Sequence, residues 1–117
     1  MNFINKLSNT NSFEKQDTKV SFNRKELGLI LNIYGKMVAN GEWRDYGISI
    51  LKEVSIFSIY KHYSEYPIYM VQKKPLLAKK QGMYSIVAMD GRILKRGKDL
   101  SKVLRVFRPK TLRIVKS

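Results

Sequence analysis

Tyr84-Ser85-Ile86-Val87-Ala88-Met89-Asp90-Gly91-Arg92-Ile93-Leu94-Lys95-Arg96, residues 84–96, is the stretch on which the fold turns. Two β-prone runs, Tyr84–Met89 and Arg92–Arg96, flank Asp90-Gly91, a dipeptide that tolerates positive φ at both turn positions and so predicts a hairpin. Just beyond, Asp99 can cap a short helix whose apolar face is Leu100, Val103, Leu104 and Phe107, and Pro109 stops it. Strand, turn, strand and helix in such quick succession describe an antiparallel sheet with a helix laid on one face.

Working back toward the N-terminus, Asn23 with Glu26 three residues on forms a capping-box pattern, and Phe22 and Leu27 can staple the helix start. Leu27, Ile30, Leu31, Tyr34 and Val38 then recur at helical spacing, and Asn40-Gly41 ends the helix. Gly28 and Gly35 each cost about 1 kcal/mol of helix propensity, which predicts an element packed closely against them. From Trp43 the period becomes two: Tyr46, Ile48 and Ile50 form one wet-faced strand, and Trp43 anchors the corner before it. Val54–His62 reads as a central strand buried on both sides, and Pro67–Gln72 as a third strand with proline where no ladder donor is needed. Residues 74–82 form a basic loop, and Thr111–Val115 a last strand at the sheet edge. The expectation is a single α+β domain over residues 21–117. Its mainly antiparallel sheet of five to six strands carries an N-terminal helix and a short C-terminal helix on one face. Residues 1–20, rich in Asn, Ser, Thr and Lys and without periodicity, read as a disordered tail.

The charge is as uneven as the pattern is regular. Lys and Arg outnumber Asp and Glu by 23 to 9 in 117 residues, a formal net charge of +14. Residues 1–72 hold 9 basic and 7 acidic side chains; residues 73–117 hold 14 basic and 2 acidic, Asp90 and Asp99. Compositional drift toward lysine would act on both parts alike, so the asymmetry points to a polyanionic partner that relieves self-repulsion. Charged residues are 27% of the chain, an ordinary amount, so the oddity lies in sign. The chain has no cysteine, which removes disulfides, thiolate nucleophiles and cysteine-based zinc sites, and one histidine, His62, which cannot build a multi-histidine site. No apolar run approaches the roughly 18 residues of a membrane span, and no signal-peptide pattern is present. A soluble, cytoplasmic protein without cofactor or metal is the expectation.

The candidate binding residues fall on the hairpin and the helix after it. Lys98, Lys102 and Arg105 recur opposite the helix's apolar stripe; Arg92, Lys95 and Arg96 precede them on the hairpin strand. Arg108, Lys110, Arg113 and Lys116 follow, and Lys79 and Lys80 sit at the base of the hairpin. Folded as above, Lys79, Lys80, Arg92, Lys95, Arg96, Lys98, Lys102, Arg105 and Arg108 converge on one strip that tracks nucleic-acid phosphates. Arg96, Arg105 and Arg108 stand out, because a guanidinium fork grips phosphate bidentately. Each of these cations, taken singly, reads equally as a solvated face.

Tyr60, Tyr63, Tyr66, Tyr69 and Tyr84 would stack unpaired bases if they lay on an uncovered sheet face; β-propensity alone equally explains them packed beneath helices. No zinc-finger spacing, glycine-rich phosphate loop or RNP aromatic motif is present, so sequence-specific readout has no support. His62, Ser64 and Glu65 are too close along the chain to converge as a triad, and no paired carboxylates appear at metal-binding spacing.

Phe22-Asn23-Arg24-Lys25-Glu26-Leu27, Ile30–Val38 and Gly41-Glu42-Trp43-Arg44-Asp45-Tyr46, with Lys80–Ser85, Ile93–Gly97, Leu100 and Val103-Leu104 later, resemble a small alphaproteobacterial family, domain of unknown function 2794. The resemblance spans about residues 21–115. It implies a free-standing bacterial domain and transfers no catalytic residue. The reading is therefore a non-enzymatic domain that binds RNA or DNA through phosphates. Its rivals are an interaction or regulatory module that docks an acidic protein partner or forms a homodimer, a peripheral module on anionic lipid, and a small enzyme marked by a deep polar pocket.

Overall fold

The computed structural model describes residues 19–61 and 64–108. In chain order they form α1 (Arg24–Ala39), β1 (Asp45–Ile50), β2 (Ser55–Tyr60), β3 (Tyr69–Lys73), a 3₁₀ turn (Pro75–Leu77), β4 (Tyr84–Ala88), β5 (Ile93–Gly97), α2 (Leu100–Val103) and a second 3₁₀ turn (Leu104–Val106). The expected tail before Lys19 and the expected strand Thr111–Val115 lie outside the described residues.

The start of α1 is closed by the reciprocal box its sequence announces. Asn23 Oδ1 accepts the Glu26 N–H at 2.8 Å, and Glu26 Oε1 accepts the Asn23 N–H at 2.7 Å. Asn40 caps the other end, followed by Gly41 at φ 75°, where a Cβ would be strained. The buried face is Glu26, Ile30 and Met37, with Leu27, Ile33 and Tyr34 half-covered. Leu31 and Val38, expected on that face, stay exposed on its flank. Nothing approaches Gly28 or Gly35: a Cβ at either would meet no atom within 4 Å, so neither glycine marks a close contact.

The five strands pair antiparallel in sequence order, β1 to β5. Because side chains alternate along each strand, the register sorts every residue onto one of two faces. Three rows cross the helix-covered face. Ile50, Ser55, Lys73, Tyr84 and Gly97 form one; Ile48, Phe57, Val71, Ile86 and Lys95 the next; Tyr46, Ile59, Tyr69 and Ala88 the third. The opposite face carries Gly47, Ser58, Met70, Val87 and Ile93 in one row and Ser49, Ile56, Gln72, Ser85 and Arg96 in the other. β2 alternates between buried and half-buried residues, so it is covered on one side and not on both as its composition suggested.

The hairpin after β4 also departs from expectation. Its loop has three residues, Met89–Gly91, closed by Gly91 N–H to Ala88 O (2.9 Å) and Ala88 N–H to Arg92 O (2.8 Å). Gly91 takes φ 89°, and β5 skips Leu94 relative to β4. This is the three-residue hairpin with a left-handed glycine, which absorbs the twist of the strands as well as a two-residue turn does.

Phe57, Ile59, Val71 and Ile86 from the sheet meet Ile30 and Met37 from α1 and Leu100, Val103 and Leu104 from the C-terminal turns. Each such burial contributes about 1.5–3 kcal/mol. Trp43, tucked behind the end of α1, meets Phe107 edge-on with centroids 4.8 Å apart, so the helix-to-strand corner and the C-terminal turn close on one another. One polar contact runs through this core. Glu26 accepts hydrogen bonds from Lys73 Nζ (2.8 Å) and from the Tyr84 hydroxyl, fastening α1 to β3 and β4.

Candidate nucleic-acid interface

Strand alternation decides where the two cations of β5 go. Lys95 ends a row on the helix-covered face, opposite Ile86; Arg96, one residue on, lies opposite Ser85 on the other face. There its guanidinium donates to Gln81 Oε1, and its Nε is buried without a hydrogen-bond partner among the described residues. Arg96 is therefore not on the same surface as Lys95.

Lys95 gains different company. Asp99 caps α2 by accepting the Ser101 N–H at 3.0 Å and the Ser101 hydroxyl at 2.8 Å, and the turn that follows buries Leu100, Val103 and Leu104. Lys102 and Arg105, three residues apart, are left exposed on the outer side. With Lys95 they line a concavity of about 360 Å³ around Val106. Three cations, one each from β5, α2 and the second 3₁₀ turn, thus face one hollow.

Val106 also lines a larger, open groove of about 1410 Å³ at the end of the sheet. Arg44, Lys61, Arg92 and Arg108 border it together with Asp90 and Glu42, and Trp43, Tyr69 and Phe107 form part of its wall. Arg44 and Lys61 were not among the expected contacts. They lie in a stretch of balanced charge, 17 positions apart, and become neighbours only because β1 and β2 pair with Asp45 opposite Tyr60. Arg92 is ion-paired to Asp90 at 3.3 Å with both groups exposed.

The remaining expected residues gather at the opposite end of β5. Gly82, at φ 90°, is packed so tightly on Gly97 and Lys98 that a Cβ there would clash with their backbone. That close approach brings the loop bearing exposed Lys79 and Lys80 next to exposed Lys98. Of the nine residues, Lys95, Lys102 and Arg105 share one hollow; Arg92 and Arg108 border the adjoining groove; Lys79, Lys80 and Lys98 lie at the far end; Arg96 is on the opposite face. Lys110, Arg113 and Lys116 lie outside the described residues.

Asp90 and Asp99 are engaged locally. Hydrogen bonding to Arg92 N–H holds the Asp90 carboxyl below its usual range, and hydrogen bonding from the Ser101 hydroxyl does the same for Asp99. Tyr69 and Tyr84 face the helices, Tyr60 lies on the opposite face, Tyr66 is exposed in a loop, and Tyr63 is outside the described residues. The described tyrosines therefore do not form a shared stacking platform.

Among the described residues, Glu26, Lys73 and Tyr84 form a buried polar cluster that could suggest chemistry. Burial opposes ionisation of Glu26, but hydrogen bonds from Lys73, Tyr84 and Asn23 outweigh it and lower its pKa. Burial, then the Glu26 hydrogen bond, raises the Tyr84 pKa. The arrangement holds a charged carboxylate and a neutral phenol in contact, and Lys73 Nζ also donates to Ser21 O at 3.0 Å. It is a latch between α1 and the sheet. Among the described residues no group of three or more His, Cys, Asp or Glu is placed to hold a metal ion; His62 is not described. No helix among them is long and apolar enough to cross a membrane.

No curated protein and no solved structure matches the chain. A family model described as "Protein of unknown function (DUF2794)" matches residues 20–104, short of the 21–115 that the sequence resemblance suggested and leaving Arg105 and Arg108 beyond its end. The match takes in α1, all five strands and α2, well over half of the chain, so the protein belongs to the DUF2794 family.

Proposed function

We propose that the protein binds nucleic acid through phosphates, without reading sequence. The surface runs from Lys95, Lys102 and Arg105 past Val106 to Arg92 and Arg108. The observation that carries the reading is the convergence of Lys95 from the sheet with Lys102 and Arg105 from the C-terminal turn on one concavity. Like charges gathered in a hollow raise each other's energy, and a bound polyanion reverses that cost. Arg105 and Arg108 supply forks for bidentate grip, while the lysines act as point charges that follow a backbone. Neutralising phosphates releases counterions, so affinity falls steeply with salt.

The test is the salt dependence of binding to duplex DNA and to single-stranded RNA, with nuclease-treated full-length protein. With about 5–6 phosphates neutralised, log K falls against log salt with a slope of about −5 on duplex DNA. Changing Lys95, Lys102 and Arg105 together to Ala makes that slope shallower by about 2–3 units. Arg96→Ala, on the other face, leaves it unchanged. A folded triple variant with the wild-type slope would falsify the reading.

A further inference from the structure

The β1 edge, across the sheet from Lys95, Lys102 and Arg105, is a second surface, with Arg44 of the groove at its start. β1 is an edge strand, paired only to β2 among the described residues. Its six-residue register is regular, and Asp45–Ile50 contains no Lys, Arg or Pro. The Tyr46 N–H is met by the Asp45 carboxylate at 2.9 Å and not by another strand. Tyr46, Ile48 and Ile50 project on the helix-covered face yet remain 42–47% exposed, and Leu51 continues the patch. Leu31 extends it across α1, on the flank shared with Tyr34, whose ring meets Tyr46 edge-on at 5.0 Å, while Val38 farther along that flank lines the groove. The end of the edge is engaged by the chain itself, where Val20 N–H donates to Leu51 O at 2.8 Å. Along Tyr46–Ile50, however, a strand edge without cations lies beside an apolar patch, a template for strand addition.

Charge identifies what fits it. Residues 24–60, which build this side, hold five basic and four acidic side chains; residues 73–108 hold eleven basic and two acidic. A chain of net charge +14 approaches its own copy at the least electrostatic cost through the near-neutral side, with the cationic sides held apart. An antiparallel strand edge is also self-complementary about a two-fold axis, so one patch serves both partners. Residues 1–18 are a poorer occupant, since they lack the alternating apolar pattern that β1 presents at Tyr46, Ile48 and Ile50.

We infer that β1 pairs antiparallel with β1 of a second copy, joining the two sheets into one and burying Leu31, Ile48 and Ile50 between them. Nuclease-treated full-length protein, examined by light scattering and sedimentation at about 100 µM, should have twice the 13.7 kDa chain mass. Ile48→Lys should give a folded monomer, whereas Leu76→Lys, at an exposed apolar residue off the patch, should leave the dimer. Single cysteines at Ser49 or Lys98 offer a second measurement. Spin labels at Ser49 should lie close across the dimer, and labels at Lys98 far apart. A monomeric wild type, a dimer indifferent to Ile48→Lys, or labels closer at Lys98 than at Ser49 would each overturn the inference.

Discussion

β1 and β5 are both edges of one sheet, and the fold treats them in opposite ways. The row Ile48, Phe57, Val71, Ile86, Lys95 begins apolar on β1 and ends charged on β5. β5 is interrupted at Leu94, carries a cation on each face and is overhung by the C-terminal turn. Those are devices that keep a strand from pairing further. β1 has neither lysine nor interruption. One edge carries cations and a break in register; the other is regular and near-neutral. An exposed cation on an edge strand thus does two jobs, which explains how a strongly basic protein could bind a polyanion on one side and a copy of itself on the other.

The largest expected effect comes from cutting the latch that joins the two sides. Glu26 ties α1, which flanks the β1 patch, to Lys73 and Tyr84 beneath the cationic half. Glu26→Ala leaves Lys73 with its charge largely buried and the box at Asn23 open, and should cost about 3–5 kcal/mol in urea unfolding. If it costs under about 1 kcal/mol, the two sides are held by apolar contacts alone. The pH dependence has two limbs. Glu26 is lowered in the folded state, so its contribution is present above pH 4.5 and is lost as pH falls through the depressed folded value. Tyr84 is raised, so its contribution is present below pH 10.0 and is lost as pH rises beyond it. Tyr84→Phe should shrink the alkaline limb to the part left by Tyr34, whose hydroxyl burial also raises, and keep most of the acid one.

A smaller effect sharpens the description of the cationic side. Gly82→Ala places a methyl against the Gly97 and Lys98 backbone at a positive φ, and should cost about 3 kcal/mol while loosening the loop that carries Lys79 and Lys80. Thermal unfolding reports the cost, and the salt slope of binding reports whether that loop takes part. The smallest effect belongs to the exposed pair at the hairpin tip. Arg92→Ala should change stability by no more than about 0.5 kcal/mol, because solvent screens a pair exposed on both sides. Any effect on nucleic-acid affinity then reads directly as a lost phosphate contact.

Much of the architecture was legible in local signals. The reciprocal box at Asn23 and Glu26, the glycine beyond Asn40, and the capped turn at Asp99 all work within a few residues, and the structure has each. Errors arose where an outcome depended on partners far along the chain. Gly28 and Gly35 looked like contact points, but which side of α1 meets the sheet is decided by the sheet's position. Val54–His62 looked doubly buried because a run of large apolar residues does not say how many layers will cover it.

The candidate site divides in the same way. Composition alone established that cations accumulate after residue 73 and that acids there are few. Whether those cations share a surface follows from register and packing. Lys95 and Arg96 are adjacent in the chain and on opposite faces in the sheet, while Arg44 and Lys61 are distant in the chain and border one groove. Charge is a property of each side chain, so the sequence determined how much there is. Direction is a property of paired strands, so only the tertiary structure decided which charges act together.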